Sequence, residues 1–220
     1  MFEDRRDAGE KLALALKKYR DKNVLVLAIP RGGVEVGYYV ARYLNAEFSM
    51  LVSRKLPYPD EPEAGFGAIA EDGSTFIFED AIGWLSKKEI DRIVAEQKEE
   101  IKKRINILRE GKPLLEIKGR IVILIDDGIA MGSTMRAAIM LCRKKRAKNI
   151  IVAVPVSGRD RAEEIGKLVD ELIVLEIPPI FYAVAQAYRN WRDLTNEDVI
   201  QIMKDWEKFL EQKFKQQRIE

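Results

Sequence analysis

Three runs of consecutive apolar residues constrain the fold of this chain more than any other feature of its sequence. They span residues 24–29, 121–125 and 150–154, and every position in them is Val, Leu, Ile or Ala. A strand with one face in water alternates apolar and polar residues, whereas a strand covered on both faces is apolar throughout. Helical patterns separate the runs, and strands that alternate with helices predict a parallel sheet with right-handed crossovers. The sequence therefore predicts an α/β fold, in which residues 1–220 form a single domain with a parallel sheet flanked by helices.

The remaining core elements follow from apolar periodicity and from the residues at element boundaries. Apolar side chains that recur every three or four residues lie on one face of a helix, and shorter apolar runs indicate further strands. We predict strands at residues 48–52 and 172–175, helices at about 5–20, 34–44, 133–145 and 161–168, and a final amphipathic helix that Thr195 caps.

A segment between the second and third core strands interrupts this alternation. Residues 56–67 contain three prolines and two glycines, which predict a long loop. Two short apolar segments flank residues 71–74 and predict a hairpin. A capping box then opens a long charged helix that runs to about Leu108. We interpret residues 56–112 as one insertion within the single domain.

The chain contains no histidine and one cysteine, Cys142. This scarcity excludes Ser-His-Asp and Cys-His catalysis, the usual zinc sites and an internal disulfide. Cys142 lies among apolar residues of a predicted helix, where a small core side chain is the favoured interpretation. Acid–base chemistry must therefore use carboxylates, Lys, Tyr or the substrate, and any metal would be a hard cation with oxygen ligands.

Charge is balanced, because 38 basic residues stand against 36 acidic ones. This balance gives no electrostatic reason to expect nucleic acid as the main partner. No apolar run approaches the roughly 20 residues that span a bilayer, and residues 1–6 lack the apolar core of a secretory signal. We therefore expect a soluble, cytoplasmic protein with no membrane partner. The high share of Lys, Glu and Ile resembles the surface composition of thermophile proteins.

The segment of residues 122–134, VILIDDGIAMGST, carries the strongest chemical signal. Its strand delivers the adjacent carboxylates of Asp126 and Asp127 to a short loop of small residues that opens a helix. The backbone amides of residues 130–134, at the helix start, form a cradle for an anion. Carboxylates beside such a cradle suit a ligand that has hydroxyl groups or a cation next to its phosphate. A sugar phosphate meets both requirements.

Other interpretations of this segment remain open. Paired aspartates after a strand also occur at the magnesium sites of phosphatases and receiver domains, and many Gly-rich turns are only structural. The segment is not a Walker loop, because the Gly-Lys-Ser/Thr ending is missing. It also lacks the G-x-G-x-x-G spacing of a dinucleotide site.

A second turn that suits phosphate, IPRGG, follows the first apolar run. Arg31 supplies a cation, while Gly32 and Gly33 expose amides to an anion. Taken alone, the Arg-Gly-Gly sequence is equally consistent with a tight turn that has no binding function. Arg54 and Lys55, which we place at the end of the second strand on the same edge, are candidates for neutralising a pyrophosphate. A solvated basic pair is the alternative for them.

The 122–134 segment resembles the motif that binds 5-phosphoribosyl 1-pyrophosphate (PRPP) in type I phosphoribosyltransferases. By this resemblance Asp126 and Asp127 would hold the ribose hydroxyls, act as the catalytic residues and bind magnesium directly or through water. The loop that follows them would wrap the 5-phosphate, and the turn at Arg31 would contact pyrophosphate. The residues implied to bind PRPP are Arg31, Gly32, Gly33, Arg54, Lys55, Gly128, Ile129, Ala130, Met131, Gly132, Ser133 and Thr134.

The resemblance also implies a flap within residues 56–112 and a C-terminal helical hood at about residues 178–213. Phe181 and Tyr182 would lie near the acceptor base, and packing of the last helix is the alternative role for them. Ala130 stands where purine-specific members place an aspartate. The resemblance therefore favours an acceptor that loses its proton easily, such as a pyrimidine or another acidic nitrogen heterocycle.

The expected function is Mg²⁺-dependent transfer of the 5-phosphoribosyl group of PRPP to a nitrogenous base, with release of pyrophosphate. The family resemblance favours a homodimer acting on small molecules. A non-catalytic regulator of the same fold that senses PRPP or a nucleotide is the alternative. A magnesium protein of the receiver or phosphatase type is a third interpretation, but the first strand presents no nucleophilic aspartate.

Overall fold

The computed structural model describes residues 1–217, which form a central parallel sheet, a smaller antiparallel sheet and six α-helices. The strands are β1 (Leu25–Ala28), β2 (Glu47–Met50), β3 (Ser53–Pro57), β4 (Gly65–Ala70), β5 (Thr75–Ile77), β6 (Ile121–Ile125), β7 (Asn149–Val156) and β8 (Glu171–Glu176). The helices are α1 (Arg5–Ala15), α2 (Gly32–Leu44), α3 (Lys87–Arg109), α4 (Ser133–Lys144), α5 (Arg159–Gly166) and α6 (Asn196–Gln217).

The central sheet runs in the order β2-β1-β6-β7-β8, and all of its strands are parallel. Both faces of this sheet are covered, as the apolar runs predict. Ile123 and Ile125 of β6 pack in a cluster with α1, α2 and α6, whereas Val122 and Leu124 pack in the cluster of α4 and α5. The α/β fold predicted from the sequence is confirmed.

The antiparallel sheet β3-β4-β5 and helix α3 form the segment that interrupts the alternation. The predicted hairpin is confirmed, because β4 and β5 pair with Ile69 opposite Thr75. The long helix is also confirmed, and Ser86 and Glu89 form its capping box. Side chains of the small sheet and α3 bury a separate apolar cluster that includes Phe66 and Ile101.

Two predictions in this segment were wrong. Arg54 and Lys55 do not end the second core strand, because β2 stops at Met50 and the chain re-pairs as β3 with β4. The predicted loop is also shorter, since β3 continues to Pro57 and β4 begins at Gly65. Antiparallel pairing of β3 with β4, the next strand along the chain, overrides the local loop signal of the prolines and glycines.

The helical boundaries differ from prediction in the first element. Helix α1 ends at Ala15, and a short 3₁₀ turn, Lys17–Tyr19, replaces the predicted last turn. The Thr195 hydroxyl accepts a hydrogen bond from the Asp198 amide at the start of α6, as expected for a cap. None of the helices within residues 1–217 is long and apolar enough to cross a bilayer.

Candidate functional site

The turns that follow β1 and β6 lie side by side at one edge of the central sheet. The two strands are neighbours, with Ala28 opposite Ile125, and the Ile29 amide donates to the Ile125 carbonyl at 2.8 Å. The IPRGG turn and the 126–134 segment therefore leave the sheet together. Carboxyl ends of parallel strands are where ligands bind in open α/β sheets.

Two glycines allow these turns to touch. A Cβ atom on Gly32 would lie 1.8 Å from Asp127 Oδ2, and one on Gly33 would lie 2.8 Å from the Ile125 carbonyl oxygen. Real Cβ atoms do not approach other atoms so closely, so any larger residue must displace the aspartates or the backbone. The peptide bond between Pro30 and Arg31 is cis. The glycines thus have a packing role as well as any role toward an anion.

Asp127 is paired with a buried arginine that the sequence analysis did not select. Arg5 Nε donates to Asp127 Oδ2 at 2.8 Å, and the two side chains are only 6% and 13% exposed. The Arg5 guanidinium also donates to the Arg192 carbonyl at 2.8 Å and lies 4.0 Å from the Trp191 ring centroid. Arg5 therefore joins Asp127 to the segment that precedes α6.

Asp126 has no such ion-pair partner within residues 1–217. Burial raises the pKa of Asp126 well above the usual carboxyl range, and the neighbouring Asp127 carboxylate raises it further. Burial also raises the pKa of Asp127, while Arg5 acts in the opposite direction. The Asp127 backbone is held too, because the Tyr188 hydroxyl donates to its carbonyl at 2.6 Å. Arg5 thus offsets part of the cost of ionising Asp127, whereas ionising Asp126 costs more.

Asp126 faces a cavity of about 460 Å³, which we call the rim cavity. Basic and polar side chains from β3 and α3 complete it, and Arg54 Nε donates to Gln97 Oε1 at 2.8 Å. The lining residues are Ile29, Pro30, Ser53, Arg54, Lys55, Pro57, Pro62, Gln97, Arg104, Asp126 and Thr134. The predicted residues Arg54 and Lys55 therefore reach the site from the second sheet.

Positive charge is concentrated around the rim cavity. Burial lowers the pKa of Arg104, and the nearby cations Arg54 and Arg31 lower it further. Arg31 is exposed at the start of α2. The electrostatic repulsion between cations held this close together falls when an anion binds between them. Arg104 was missed by sequence reasoning, because it lies in a long charged helix where basic residues usually face water.

The Ser53 hydroxyl is a second group of the rim cavity that the prediction omitted. The side chain is 3% exposed, and its oxygen has no hydrogen-bond partner among the described residues. A buried polar group without a partner costs free energy unless a ligand or water satisfies it. Ser53 is therefore an available donor or acceptor beside Asp126.

The loop of residues 128–134 leads from the aspartates into α4. Gly132 has a φ of 78° and caps the helix, and the Ile129 amide donates to the Val156 carbonyl at 2.9 Å. The first backbone amides of a helix have no partner within it. Thr134 lines the rim cavity, whereas Met131 and Ser133 line a separate cavity on the other side of the loop. Ala130 is exposed.

The two residues proposed for the acceptor base lie outside the rim cavity. Phe181 packs against the cluster that contains Phe2, Val156 and Tyr188. Tyr182 is 83% exposed. Of the pair, Tyr182 is free to stack on a planar ligand, and Phe181 has a packing role.

The donor set fits Mg²⁺ better than a transition metal. No group of three or more His, Cys, Asp or Glu side chains converges within the part of the chain that the structure describes. Mg²⁺ keeps several waters and binds through one or two carboxylates together with substrate phosphates. Asp126 supplies one such carboxylate, and the ion would offset its buried charge. Asp127 already has Arg5 as its cation.

The chain is similar to proteins described as phosphoribosyl transferases. A family model described as the phosphoribosyl transferase domain matches residues 5–190. Two Mycobacterium tuberculosis proteins, "Putative phosphoribosyl transferase MT0597" and "Putative phosphoribosyl transferase Rv0571c", are each 38% identical over 202 residues. These matches cover 91% of this chain and 46% of each relative, so the chain spans about half the length of the curated relatives it matches.

Solved structures share the fold. The crystal structure of TT1426 from Thermus thermophilus is 35% identical, with a TM-score of 0.79 and coverage of 93% of this chain and 98% of that one. The AQ2163 protein from Aquifex aeolicus is 13% identical, with a TM-score of 0.51 over 79% of this chain and 73% of that one, a likeness of fold alone. The chain thus belongs to the phosphoribosyl transferase domain family.

Proposed function

We propose that the rim cavity binds PRPP and that the chain transfers its 5-phosphoribosyl group to a nitrogenous base, releasing pyrophosphate. The observation that carries this proposal is the contact between the Gly32 turn and the Asp127 turn, beside a basic cavity into which Asp126 faces. A ligand there meets carboxylates, cations and the amides of a helix start within one site. PRPP has hydroxyls, a pyrophosphate and a second phosphate to match them.

Each part of the ligand has a group of matching chemistry. The Asp126 carboxylate accepts from the ribose hydroxyls, and Asp127, held by Arg5, contributes the negative charge beside it. Arg31, Arg54, Lys55 and Arg104 neutralise the pyrophosphate, because several fixed cations around one anion stabilise the leaving group. The amides of residues 130–134 and the Thr134 hydroxyl hold the 5-phosphate.

No covalent bond forms between the protein and the substrate in this reaction. The bond between the anomeric carbon and the pyrophosphate oxygen breaks, the ring gains positive charge, and a nitrogen of the base attacks that carbon and loses its proton. Asp126 stabilises the positive ring, while the cations hold the departing pyrophosphate. Mg²⁺, held by Asp126, would supply further positive charge to the pyrophosphate.

The acceptor in this proposal is a base that loses its proton without a strong protein base. Ala130 has no carboxylate to accept that proton. Tyr182 offers an exposed ring for stacking, whereas Phe181 packs against the cluster that contains Phe2 and Tyr188. A pyrimidine or another acidic nitrogen heterocycle meets these conditions.

Calorimetry with PRPP and Mg²⁺, followed by a panel of bases scored for pyrophosphate release, tests the proposal. We expect PRPP to bind and Arg104→Ala to weaken PRPP and pyrophosphate at least tenfold. Lys103→Ala is the matched control, since Lys103 is the exposed neighbour of Arg104 and does not line the rim cavity. Absence of PRPP binding would reject the proposal. Binding without turnover of any base would instead identify a PRPP sensor.

A further inference from the structure

A second cavity, of about 880 Å³, lies between the β4–β5 hairpin, the 128–134 loop and helices α4 and α5. We call it the hairpin cavity. Asp126, Asp127 and Arg31 do not line it, and Lys55 stands in the wall between it and the rim cavity. Its volume is within the range of about 300–1,000 Å³ that small-molecule sites occupy. The proposed transfer reaction gives this space no role.

The inner wall of the hairpin cavity carries excess positive charge. Arg136 Nη2 and Arg161 Nη1 both donate to the same oxygen, Glu164 Oε2, at 2.5 and 2.6 Å. Two guanidinium groups therefore share one carboxylate. Lys55 adds a third cation, and its ammonium donates to a neutral acceptor, the Glu63 carbonyl. An anion that reaches this wall would complete the charge balance.

An unsatisfied donor lies at the same place. Arg136 Nε is buried and has no hydrogen-bond partner among residues 1–217. A buried N–H of a charged group without a partner costs free energy that a hydrogen-bond acceptor would recover. The unpaired donor and the excess charge both favour binding of an anionic acceptor at this wall.

The outer lip of the cavity limits the charge of that acceptor. Glu63, Glu79 and Asp80 lie there, and all three are exposed. Salt screens these exposed carboxylates, so their repulsion of a ligand with one phosphate or carboxylate is weak. Their repulsion of a ligand with several negative charges is larger. The lip therefore favours a ligand with a single anionic group.

Aromatic rings form the remaining wall. Phe76 and Phe78 meet edge to face at 4.8 Å, and the Arg136 guanidinium lies 4.9 Å from the Phe76 ring centroid. Tyr58 also lines the cavity and stacks on Trp84 at 5.3 Å. Rings in these arrangements present flat apolar surface on which a planar group can bury area. The cavity thus combines an aromatic wall with a cationic one.

We propose that the hairpin cavity binds a flat aromatic anion, a ring system that carries one phosphate or carboxylate. The anion contacts Arg136 and Arg161, and the ring lies against Phe78 and Tyr58. A nucleoside monophosphate and an aromatic carboxylate share this chemistry. Lys55 borders both this site and the one proposed for PRPP, but Arg136 and Arg161 line the hairpin cavity and not the rim cavity, so the site does not depend on transfer activity.

Calorimetry on the full chain tests the proposal with AMP, phenyl phosphate and benzoate, with and without saturating PRPP and Mg²⁺. Adenosine and inorganic phosphate are the probes that lack the anion or the ring. We expect at least one aromatic anion to bind tenfold or more tighter than either of these. Its identity separates a nucleotide site from a carboxylate site, and both results support the proposal.

Two arginine variants locate the bound ligand. Arg161→Gln should weaken the aromatic anion at least tenfold and leave PRPP affinity unchanged. Arg159→Gln is the matched control, because Arg159 is exposed on the same helix and does not line the cavity. Equal affinity of wild type and Arg161→Gln would overturn the proposal, as would inorganic phosphate binding as tightly as AMP. If PRPP does not bind, the proposed transfer function fails, and the AMP titrations still decide this site.

Discussion

Arg5 and Asp127, separated by 122 positions in the chain, form a largely buried ion pair of 2.8 Å. The two adjacent aspartates therefore have different surroundings, because Asp127 has a fixed cation and Asp126 has none in the part of the chain that the structure describes. Functional sites commonly retain a group that lowers the stability of the folded protein, because the function requires that group. Asp126 is therefore the carboxylate we expect to respond to a ligand, and Asp127 the one that holds the turn in place.

Asp126→Asn should stabilise the chain and abolish transfer. Because the pKa of Asp126 is raised in the folded state, the protonated carboxyl does not destabilise the fold below the unfolded-state pKa of about 4. As the pH rises from that value to the folded-state pKa, the free energy of unfolding of the wild type falls by about 1.4 kcal/mol for each pH unit between the two pKa values. The variant lacks this loss, so its advantage in Tm should be near zero at about pH 4 and largest at alkaline pH. Thermal unfolding at several pH values measures it. A constant difference across that range would contradict the assigned cause.

Asp127→Asn should destabilise the chain, because Arg5 is then buried without its charge partner. Breaking a buried pair from one side costs roughly 3 kcal/mol or more. A double-mutant cycle with Arg5→Gln, read by denaturant unfolding, should give a coupling of about 1–3 kcal/mol. The exposed pair of Arg6 and Glu10 is the control and should couple by about 0.5 kcal/mol or less. Coupling of the same size in both cycles would reject the special role of Arg5.

Gly32→Ala should disrupt the site through its contact with the aspartates. The new methyl group would meet Asp127 Oδ2 at 1.8 Å, so the carboxylate must move and the Arg5 pair must distort. We expect a loss of about 2–3 kcal/mol of stability and at least tenfold weaker PRPP binding. Gly83→Ala is the control, since a Cβ there meets no atom within 4 Å among the described residues. Normal PRPP affinity in Gly32→Ala would argue that the two turns do not share a ligand.

Glu71→Ala should uncouple the small sheet from the central one. Arg109 at the end of α3 pairs with Glu71 and also donates to the Met50 carbonyl at 2.9 Å, and both charged side chains are under 10% exposed. Removal of Glu71 leaves a buried guanidinium and should cost roughly 3–5 kcal/mol. Glu99→Ala, which breaks an exposed pair with Lys102, should cost less than about 1 kcal/mol. Similar Tm values for the two variants would contradict this prediction.

The chain itself carries the information for the central sheet and for both turns. A strand buried on two faces must be apolar at every position, so the runs at residues 24–29 and 121–125 identify β1 and β6 directly. Carboxyl ends of parallel strands lie at one edge of a sheet, so the strand pattern also predicts that the turns after β1 and β6 lie at the same edge. Periodicity and capping residues likewise located α3 and the β4–β5 hairpin.

The tertiary structure determines which basic residues lie at the candidate site, which the local sequence pattern does not encode. Lys55 and Arg54 look like the end of a core strand, yet their strand pairs with a segment that follows them, and this pairing brings them to the rim cavity. Arg5 and Arg104 sit in charged helices, where nothing local separates a buried cation from a solvated one. Their environment arises from residues more than 40 positions away along the chain, because burial and charge pairing depend on the packed structure rather than on neighbours in sequence.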